Sequence, residues 1–192
     1  MIFSKSTKKQ IDNLLVKPPH AIILVSKSNK EAKEIIDYLI RKILHLADSY
    51  NLENYPYIVE VHKDKNTVAV DDLRVLEKSF KLKVPSKKTI SRFAIIFDAE
   101  LMNQISQNTM LKILEEPPED SIIILVTKSA SQINKTLQSR AVIVSINKLD
   151  FDQFSEKHKE KLSTKADLKK YYIYSDGESS LENNDSFDFD LI

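Results

Sequence analysis

The chain has 192 residues, of which 42% are hydrophobic, so it is long and apolar enough for one ordinary domain with its own core. The absence of cysteine excludes disulfides and thiolate metal sites, and the four histidines show no ligand spacing that would indicate zinc. The N-terminal segment shows no apolar signal sequence and no stretch reaches membrane-spanning length, so we expect a cytoplasmic protein without a membrane partner.

Five short apolar runs predict strands, and helical patterns alternate with them along the chain. The runs lie at 21–25, 57–61, 93–97, 122–126 and 142–146, and the helical patterns at 29–46, 70–83, 103–116 and 131–138. Three of the runs are nearly continuous in aliphatic residues, as in strands that are buried on both faces. The alternation predicts an α/β fold with a doubly wound, mainly parallel five-stranded sheet.

The helix predicted at 103–116 has clear start and stop signals. Asn103 is a suitable N-cap, and Pro117-Pro118 cannot continue a helix. The pattern predicts that the helix buries five apolar side chains, which are Ile105, Met110, Leu111, Ile113 and Leu114.

The composition changes after Lys148, which divides the chain into three predicted parts. Residues 1–148 are predicted to form the α/β core, 149–174 a short helical appendage, and 175–192 a flexible acidic tail. The last 17 residues carry six acidic residues and no Lys or Arg, which leaves 1–175 with 29 basic and 22 acidic residues.

The loop after the first strand lacks the residues of a phosphate-binding loop. Such a loop reads G-x-x-x-x-G-K-[ST], because glycines let backbone N–H groups approach phosphate oxygens. The chain has a single glycine, Gly177, far from this loop at 26–33. Lys27, Lys30 and Lys33 can still attract an anion to a helix N-terminus. We therefore expect no specific, magnesium-dependent binding of ATP.

Two polar residues directly follow predicted strands. Asp98 follows the run at 93–97, and Thr127 follows the run at 122–126. Ligands of parallel α/β sheets bind at this end of the strands, where an aspartate can hold Mg²⁺ and a threonine can contact a γ-phosphate. Spacing alone favours the simpler interpretation that Asp98 begins a loop and Thr127 ends a strand. Because Ala99 stands where a catalytic glutamate would polarise water, and Glu100 is displaced by one position, we expect no ATP hydrolysis.

The segment from Phe97 to Ala141 resembles the clamp-loader branch of the AAA+ ATPases, a family with a P-loop NTPase-like core. Within that branch it is most similar to the delta-prime subunits of bacterial DNA polymerase III. The LEEPP signature is present as Leu114, Glu115, Glu116, Pro117 and Pro118. It is followed at family spacing by a strand that ends in Thr127 and by the Ser-Arg-Cys motif, in which Ala141 replaces the cysteine.

The resemblance implies a role for Arg140, together with Ser139, as an arginine finger that reaches the ATP of a neighbouring subunit. The alternative is a solvated arginine at a helix end. Only four of the 29 basic residues are arginine, which slightly favours a need for the guanidinium group. By the same resemblance, Asp98, Thr127 and the lysines of the 26–33 loop are relics of a lost nucleotide site.

The resemblance also implies the assembly in which the chain works. It predicts a non-hydrolysing clamp-loader subunit within the DNA polymerase III holoenzyme. Its partners would be the ATPase motor subunit and a delta-like subunit, with the sliding clamp and primer–template DNA reached through the complex. The four-residue set Gln104, Gln107, Asn108 and Lys112 would face DNA by analogy alone.

The chain departs from the family in two respects. The four-cysteine zinc module of many bacterial members is absent, so we expect neither zinc nor another cofactor. The family's C-terminal helical collar is also missing, which predicts either a truncated form or ring assembly through other contacts.

Two other functions remain open at this point. One is a divergent ATPase that binds nucleotide through the lysine-rich 26–33 loop. The other is a stand-alone interaction domain derived from a clamp loader. For the LEEPP motif itself, the residues support only a structural task, because tandem prolines end a helix sharply.

Overall fold

The computed structural model describes residues 4–81 and 90–146, and its centre is a five-stranded sheet. The strands are β1 (Ala21–Val25), β2 (Ile58–Val61), β3 (Arg92–Ile96), β4 (Ser121–Thr127) and β5 (Val142–Ser145). They lie in the order β2-β3-β4-β1-β5, and every neighbouring pair is parallel. The predicted doubly wound parallel sheet is confirmed, and each strand lies within one residue of its predicted bounds.

The helices occupy both faces of this sheet. They are α1 (Lys5–Val16), α2 (Asn29–Leu44), α3 (Val70–Phe80), α4 (Gln104–Glu115) and α5 (Lys135–Gln138). Short 3-10 turns are found at Leu52–Asn54, Ala99–Leu101 and Ala130–Gln132.

Alternate residues of the strands build two separate apolar layers. In β1, Ala21 and Ile23 belong to the core that α3, α4 and α5 cover. Ile22 shares the opposite face with Leu14 of α1 and Leu39 of α2. All of these side chains are buried, as expected for a parallel sheet with helices on both faces.

The structure corrects the predicted inner face of α4. Asn103 is the N-cap, as predicted, and its side chain accepts a hydrogen bond from the Ser106 N–H at 2.8 Å. The prediction that Ile105 is buried is wrong, because 66% of this residue is exposed. The buried stripe instead begins at Ser106, whose hydroxyl donates to the Val68 carbonyl oxygen at 2.8 Å. The stripe continues at helical spacing through Met110, Ile113 and Leu114.

Two further helices differ from the sequence analysis. Helix α1 was not predicted, since its only fully buried apolar positions after the polar start are Ile11 and Leu14. The helix predicted at 131–138 is shorter, because Asn134 caps a new start and its Oδ1 accepts from the Thr136 N–H at 2.8 Å. Only residues 135–138 of that prediction are α-helical.

Residues 9–146 form one compact unit. A second unit comprises 1–8 and 147–192, of which the structure describes only 4–8. The predicted helical appendage (149–174) and acidic tail (175–192) lie outside the described residues. Across the described ranges, no helix combines the length and the apolarity needed to cross a membrane.

Candidate functional site

The connection between β1 and α2 is the place where a phosphate would bind in a nucleotide-binding sheet. Here it is only three residues long, Ser26 to Ser28. The Ser28 hydroxyl caps α2 by accepting from the Glu31 N–H at 3.5 Å, and the Ser26 hydroxyl donates to Glu31 Oε2 at 2.9 Å. A carboxylate of the chain itself therefore lies at the positive N-terminal end of this helix.

The three lysines predicted to attract an anion to this helix end differ in their surroundings. Lys27 and Lys30 are exposed. The Lys33 ammonium pairs with Asp37 at 2.6 Å and with Glu60 of β2 at 2.8 Å. Partial burial alone would lower the pKa of Lys33, but the hydrogen bonds and charges of Asp37 and Glu60 outweigh it and raise this pKa above its ordinary value of 10.5. Lys33 therefore connects α2 to strand β2 through its ion pair with Glu60.

Asp98 lies beyond the carboxyl end of β3 and is buried. Its backbone is left-handed, with φ 50° and ψ 42°, a conformation that aspartate tolerates better than most residues. Its Oδ2 accepts from Asn29 Nδ2 at 3.2 Å and lies 3.5 Å from Lys63 Nζ. One oxygen of the carboxylate that could hold Mg²⁺ is therefore in contact with an amide and an ammonium of the chain.

The two residues after Asp98 begin a short 3-10 turn. Ala99 is fully buried in the core. Glu100 follows it in a 3-10 turn, and its Oε2 is buried without a hydrogen-bond partner among the described residues.

Thr127 ends β4 and is buried, as the strand prediction implies. Its hydroxyl donates to the Ser129 carbonyl oxygen at 3.1 Å and accepts from the Ser129 N–H at 3.3 Å. The side chain thereby closes the turn that follows the strand. Asp98 and Thr127 both lie at the carboxyl ends of their strands, so the structure brings these two predicted relic residues to one edge of the sheet, where Ser26 also follows β1.

Arg140 lies at the other end of the sheet, because it lies two residues before β5 in a sheet whose strands all run in the same direction. Strands of four to seven residues separate the two ends by about 13–23 Å. The fold therefore divides the predicted site residues into two groups, and Arg140 is remote from the edge that carries Asp98 and Thr127.

A short rigid segment presents Arg140. Helix α5 has one fully buried side chain, Leu137. Gln138 Nε2 donates to the carbonyl oxygens of Ala130 at 2.8 Å and Ile133 at 2.7 Å, which fixes α5 to the turn before it. Ser139 is the C-cap, and the Arg140 N–H donates to the Leu137 carbonyl oxygen at 3.1 Å. The backbone of Arg140 is thus anchored three residues after a core side chain.

The guanidinium of Arg140 is partly exposed and makes two contacts. Nη1 donates to the Thr136 carbonyl oxygen at 3.2 Å, and Nη2 pairs with Glu115 Oε1 at 2.8 Å. The side chain of Arg140 is 33% exposed and that of Glu115 is 50% exposed. The pair connects two motifs that the sequence analysis treated separately, the LEEPP signature and the Ser-Arg motif.

The LEEPP segment forms the C-terminal end of α4, as predicted. Glu116 is the C-cap, and its N–H donates to the Lys112 carbonyl oxygen at 3.3 Å. The Pro118 carbonyl oxygen then accepts from both the N–H and the hydroxyl of Ser121, the first residue of β4. The prolines therefore end the helix and the chain turns directly into the central strand, while Leu114 remains buried in the core.

The polar face of α4 is only partly as predicted. Gln104, Asn108 and Lys112 are exposed, and Gln104 Nε2 donates to Asn108 Oδ1 at 3.3 Å. Gln107 Nε2 turns back to the Met102 carbonyl oxygen at 3.0 Å. Ile105 interrupts this polar face with an exposed apolar side chain.

For the residues that the structure describes, no group of three His, Cys, Asp or Glu side chains lies close enough to hold a metal ion.

The parallel strand order β2-β3-β4-β1-β5, with helices on both faces, is that of an α/β fold of the AAA+, P-loop NTPase-like class. Solved structures of this class superpose on the chain with sequence identity too low to indicate more than the fold. A DNA polymerase III gamma subunit-related protein from Thermotoga maritima matches with a TM-score of 0.67 and 22% identity, over 91% of this chain and 55% of that chain. The RuvB Holliday junction branch migration motor of the same organism matches with a TM-score of 0.55 and 12% identity, over 82% and 50% of the two chains.

The model of the family described as DNA polymerase III, delta subunit, matches residues 5–150, and the chain belongs to this family. The Escherichia coli K12 DNA polymerase III subunit delta' is 33% identical over 84 residues, which are 44% of this chain and 25% of that protein. The Bacillus subtilis DNA clamp loader delta protein matches in fold with a TM-score of 0.51 and 10% identity, over 79% of this chain and 46% of that chain. The chain thus spans a quarter of the curated relative and about half of the solved ones.

Proposed function

We propose that this chain is a non-hydrolysing clamp-loader subunit, similar to delta-prime, that supplies Arg140 in trans to the ATP of an adjacent ATPase subunit. The observation that carries the proposal is the position of Arg140. Its backbone is held by the end of α5, and its guanidinium is partly exposed. It lies at the opposite end of the sheet from Asp98 and Thr127. A guanidinium at this end of the sheet can contact an ATP only when that ATP is bound to a neighbouring subunit.

The connection between β1 and α2, together with Asp98, supports the proposal that the chain does not hydrolyse ATP. The three-residue connection before α2 contains no glycine, and Glu31 lies at the helix end that would receive a phosphate. Its negative charge and that of a phosphate repel each other, whereas a phosphate-binding loop offers free backbone N–H groups. Asp98 Oδ2 accepts from Asn29 and lies 3.5 Å from Lys63, so both residues would compete with a Mg²⁺ ion for this oxygen.

The chemistry of Arg140 suits the proposed task. A guanidinium carries five N–H donors in a planar arrangement that matches phosphate oxygens. Two of the five donate to Thr136 and Glu115, which leaves three for a phosphate. A finger of this kind stabilises the charge that develops on the transferred phosphoryl group and contributes about 10³–10⁵ in rate in well-studied NTPases.

The proposal includes partners and location. The ATPase motor subunit and a delta-like subunit would contact the chain directly, and the sliding clamp and primer–template DNA would be reached through the complex. A protein acting with bacterial DNA polymerase III would work in the cytoplasm. We propose that it needs no zinc or other cofactor, since its sequence contains no cysteine, Lys33 pairs with Asp37 and Glu60, and Asp98 pairs with Lys63.

The proposal is tested by reconstitution of the full chain with the clamp-loader ATPase subunits of its own organism. We expect the chain alone to show no ATP turnover and to raise turnover when it joins the motor subunits. Tagged chain recovered from native cells should also carry DNA polymerase III subunits with it. Recovery without any of these subunits, and no effect on their turnover, would contradict the proposal.

A further inference from the structure

The ion pair between Glu115 and Arg140 joins two residues that lie 25 positions apart in the sequence. Glu115 is the last residue of α4, and Arg140 follows the end of α5. The two helices pack against each other, which brings the LEEPP glutamate beside the Ser-Arg arginine.

We propose that Glu115 is a positioning residue for Arg140, which holds the guanidinium in the orientation required for a phosphate of the neighbouring subunit. This inference rests on the proposed function of Arg140 as a finger. It assigns a task to the first glutamate of LEEPP that the helix-ending role of the prolines does not explain.

The geometry of the guanidinium supports this role. Glu115 Oε1 accepts from Nη2, and the Thr136 carbonyl oxygen accepts from Nη1. Two acceptors on two different nitrogens fix the plane of the group as well as its position. A free arginine side chain has many rotamers, and the loss of that freedom opposes every hydrogen bond it forms with a ligand. A guanidinium that is already held loses less freedom when the phosphate arrives.

Glu116 provides an internal comparison. It is also an exposed glutamate at the end of α4, but it lies at the C-cap, where its N–H donates to Lys112. The ion pair with Arg140 is made by Glu115. A variant at Glu116 therefore changes the local charge to the same degree without removing the contact with the guanidinium.

The experiment compares Glu115→Ala, Glu115→Gln and Glu116→Ala in the full chain, each assembled with the ATPase subunits of its own organism. The readouts are kcat and KM for ATP at saturating subunit concentration. We expect Glu115→Ala to lower the stimulated kcat by about tenfold, by analogy with the lower end of the 10–100-fold losses that follow removal of a residue orienting a metal ligand. KM should stay unchanged, because the motor subunit binds the nucleotide. Glu115→Gln keeps an acceptor oxygen and should lose less, and Glu116→Ala should behave as the wild type.

A double variant separates positioning from a general structural role. When Arg140→Ala is already present, Glu115→Ala should cause no further loss of turnover, since there is no guanidinium to hold. A further loss of turnover in the Arg140→Ala background would overturn the positioning role. So would a Glu115→Ala variant whose kcat equals or exceeds that of the wild type, provided that Arg140→Ala abolishes the stimulation. If Arg140→Ala leaves the stimulation intact, the proposed finger role of Arg140 is wrong, and the positioning role of Glu115 is wrong as well.

Discussion

Asn29 donates a hydrogen bond from Nδ2 to Asp98 Oδ2 at 3.2 Å. Asn29 is the first residue of α2, and Asp98 follows β3. Lys63 Nζ lies 3.5 Å from the same Asp98 oxygen. In a nucleotide-binding sheet this gap between the helix start and the aspartate would hold the metal ion and phosphates. In this chain the two sides of the gap are connected directly to each other.

The first prediction concerns nucleotide binding. Titration of the purified chain with Mg²⁺ and ATP in a calorimeter should show no binding in the micromolar range, because the Glu31 carboxylate lies at the N-terminal end of α2 and Asn29 donates to Asp98. Glu31→Gln is the matched control, as it removes the charge but adds no glycine, and it should not create a site. Micromolar binding by the wild-type chain would support the rival interpretation of a divergent ATPase.

The second prediction concerns the corrected face of α4. Ile113→Ala should lower the free energy of unfolding by about 2–4 kcal/mol, because it leaves a cavity in the core. Ile105→Ala changes the same side chain on the same helix but should stay within about 0.5 kcal/mol, since Ile105 is 66% exposed. Denaturant unfolding of the two variants measures the difference. Equal losses would mean that Ile105 is buried in solution.

The third prediction concerns Lys33 and pH. The pKa of Lys33 is raised in the folded chain, so its pairs with Asp37 and Glu60 stabilise the fold fully below pH 10.5 and lose that contribution as the pH rises through the folded-state pKa. Lys33→Met should therefore lower stability at pH 8 by roughly 0.5–1 kcal/mol after solvent screening. The difference from the wild type should shrink above pH 10.5.

Lys30→Met serves as the control for this measurement, because Lys30 is an exposed lysine of the same helix. Its stability should follow the wild type across the whole pH range. A deficit of Lys33→Met that persists unchanged at high pH would show that the side chain acts through packing and not through charge.

The central strands β1, β3 and β4 could be predicted from the sequence because burial on both faces leaves almost no polar residue in them, whereas the outer strands β2 and β5 are only partly buried and were found from short aliphatic runs. Every residue of β4 is buried, and its apolar run indicated its bounds to within one residue. Helix α1 gave no comparable signal, since most of its residues are polar and it presents few side chains to the sheet. The error at Ile105 arose because the polar Ser106 fills the adjacent buried position by donating to a backbone carbonyl oxygen.

The scarcity of arginine was a weak indicator that nevertheless pointed to a physical need. Arg41 donates to the Tyr50 carbonyl oxygen, and Arg92 donates to those of Ser79 and Phe80 while pairing with Asp120 at 3.0 Å. Arg140 likewise combines a carbonyl oxygen with a carboxylate. In Arg92 and Arg140 the contacts use separate nitrogens of one planar guanidinium, which a lysine ammonium does not offer. Within the described residues, Arg41 uses Nε alone, and the fourth arginine, Arg74, makes only a surface pair with Asp71.

The position of the candidate site could be predicted only in part. Asp98 and Thr127 were assigned to one edge of the sheet because both follow parallel strands. The pair between Glu115 and Arg140 could not be found in this way, since it depends on the distance between two helix ends, which neither motif specifies. The same limit applies to Asn29, whose contact with Asp98 spans 69 positions.

The central claim is that Arg140 serves the ATP of a neighbouring subunit, and it is tested by steady-state ATP turnover of the reconstituted loader. We predict that Arg140→Ala still assembles with the ATPase subunits but removes the gain in turnover that the wild-type chain provides. Arg140→Lys, which keeps the charge but not the planar donors, should restore only a small part of it. Turnover unchanged by Arg140→Ala in a fully assembled complex would contradict the account.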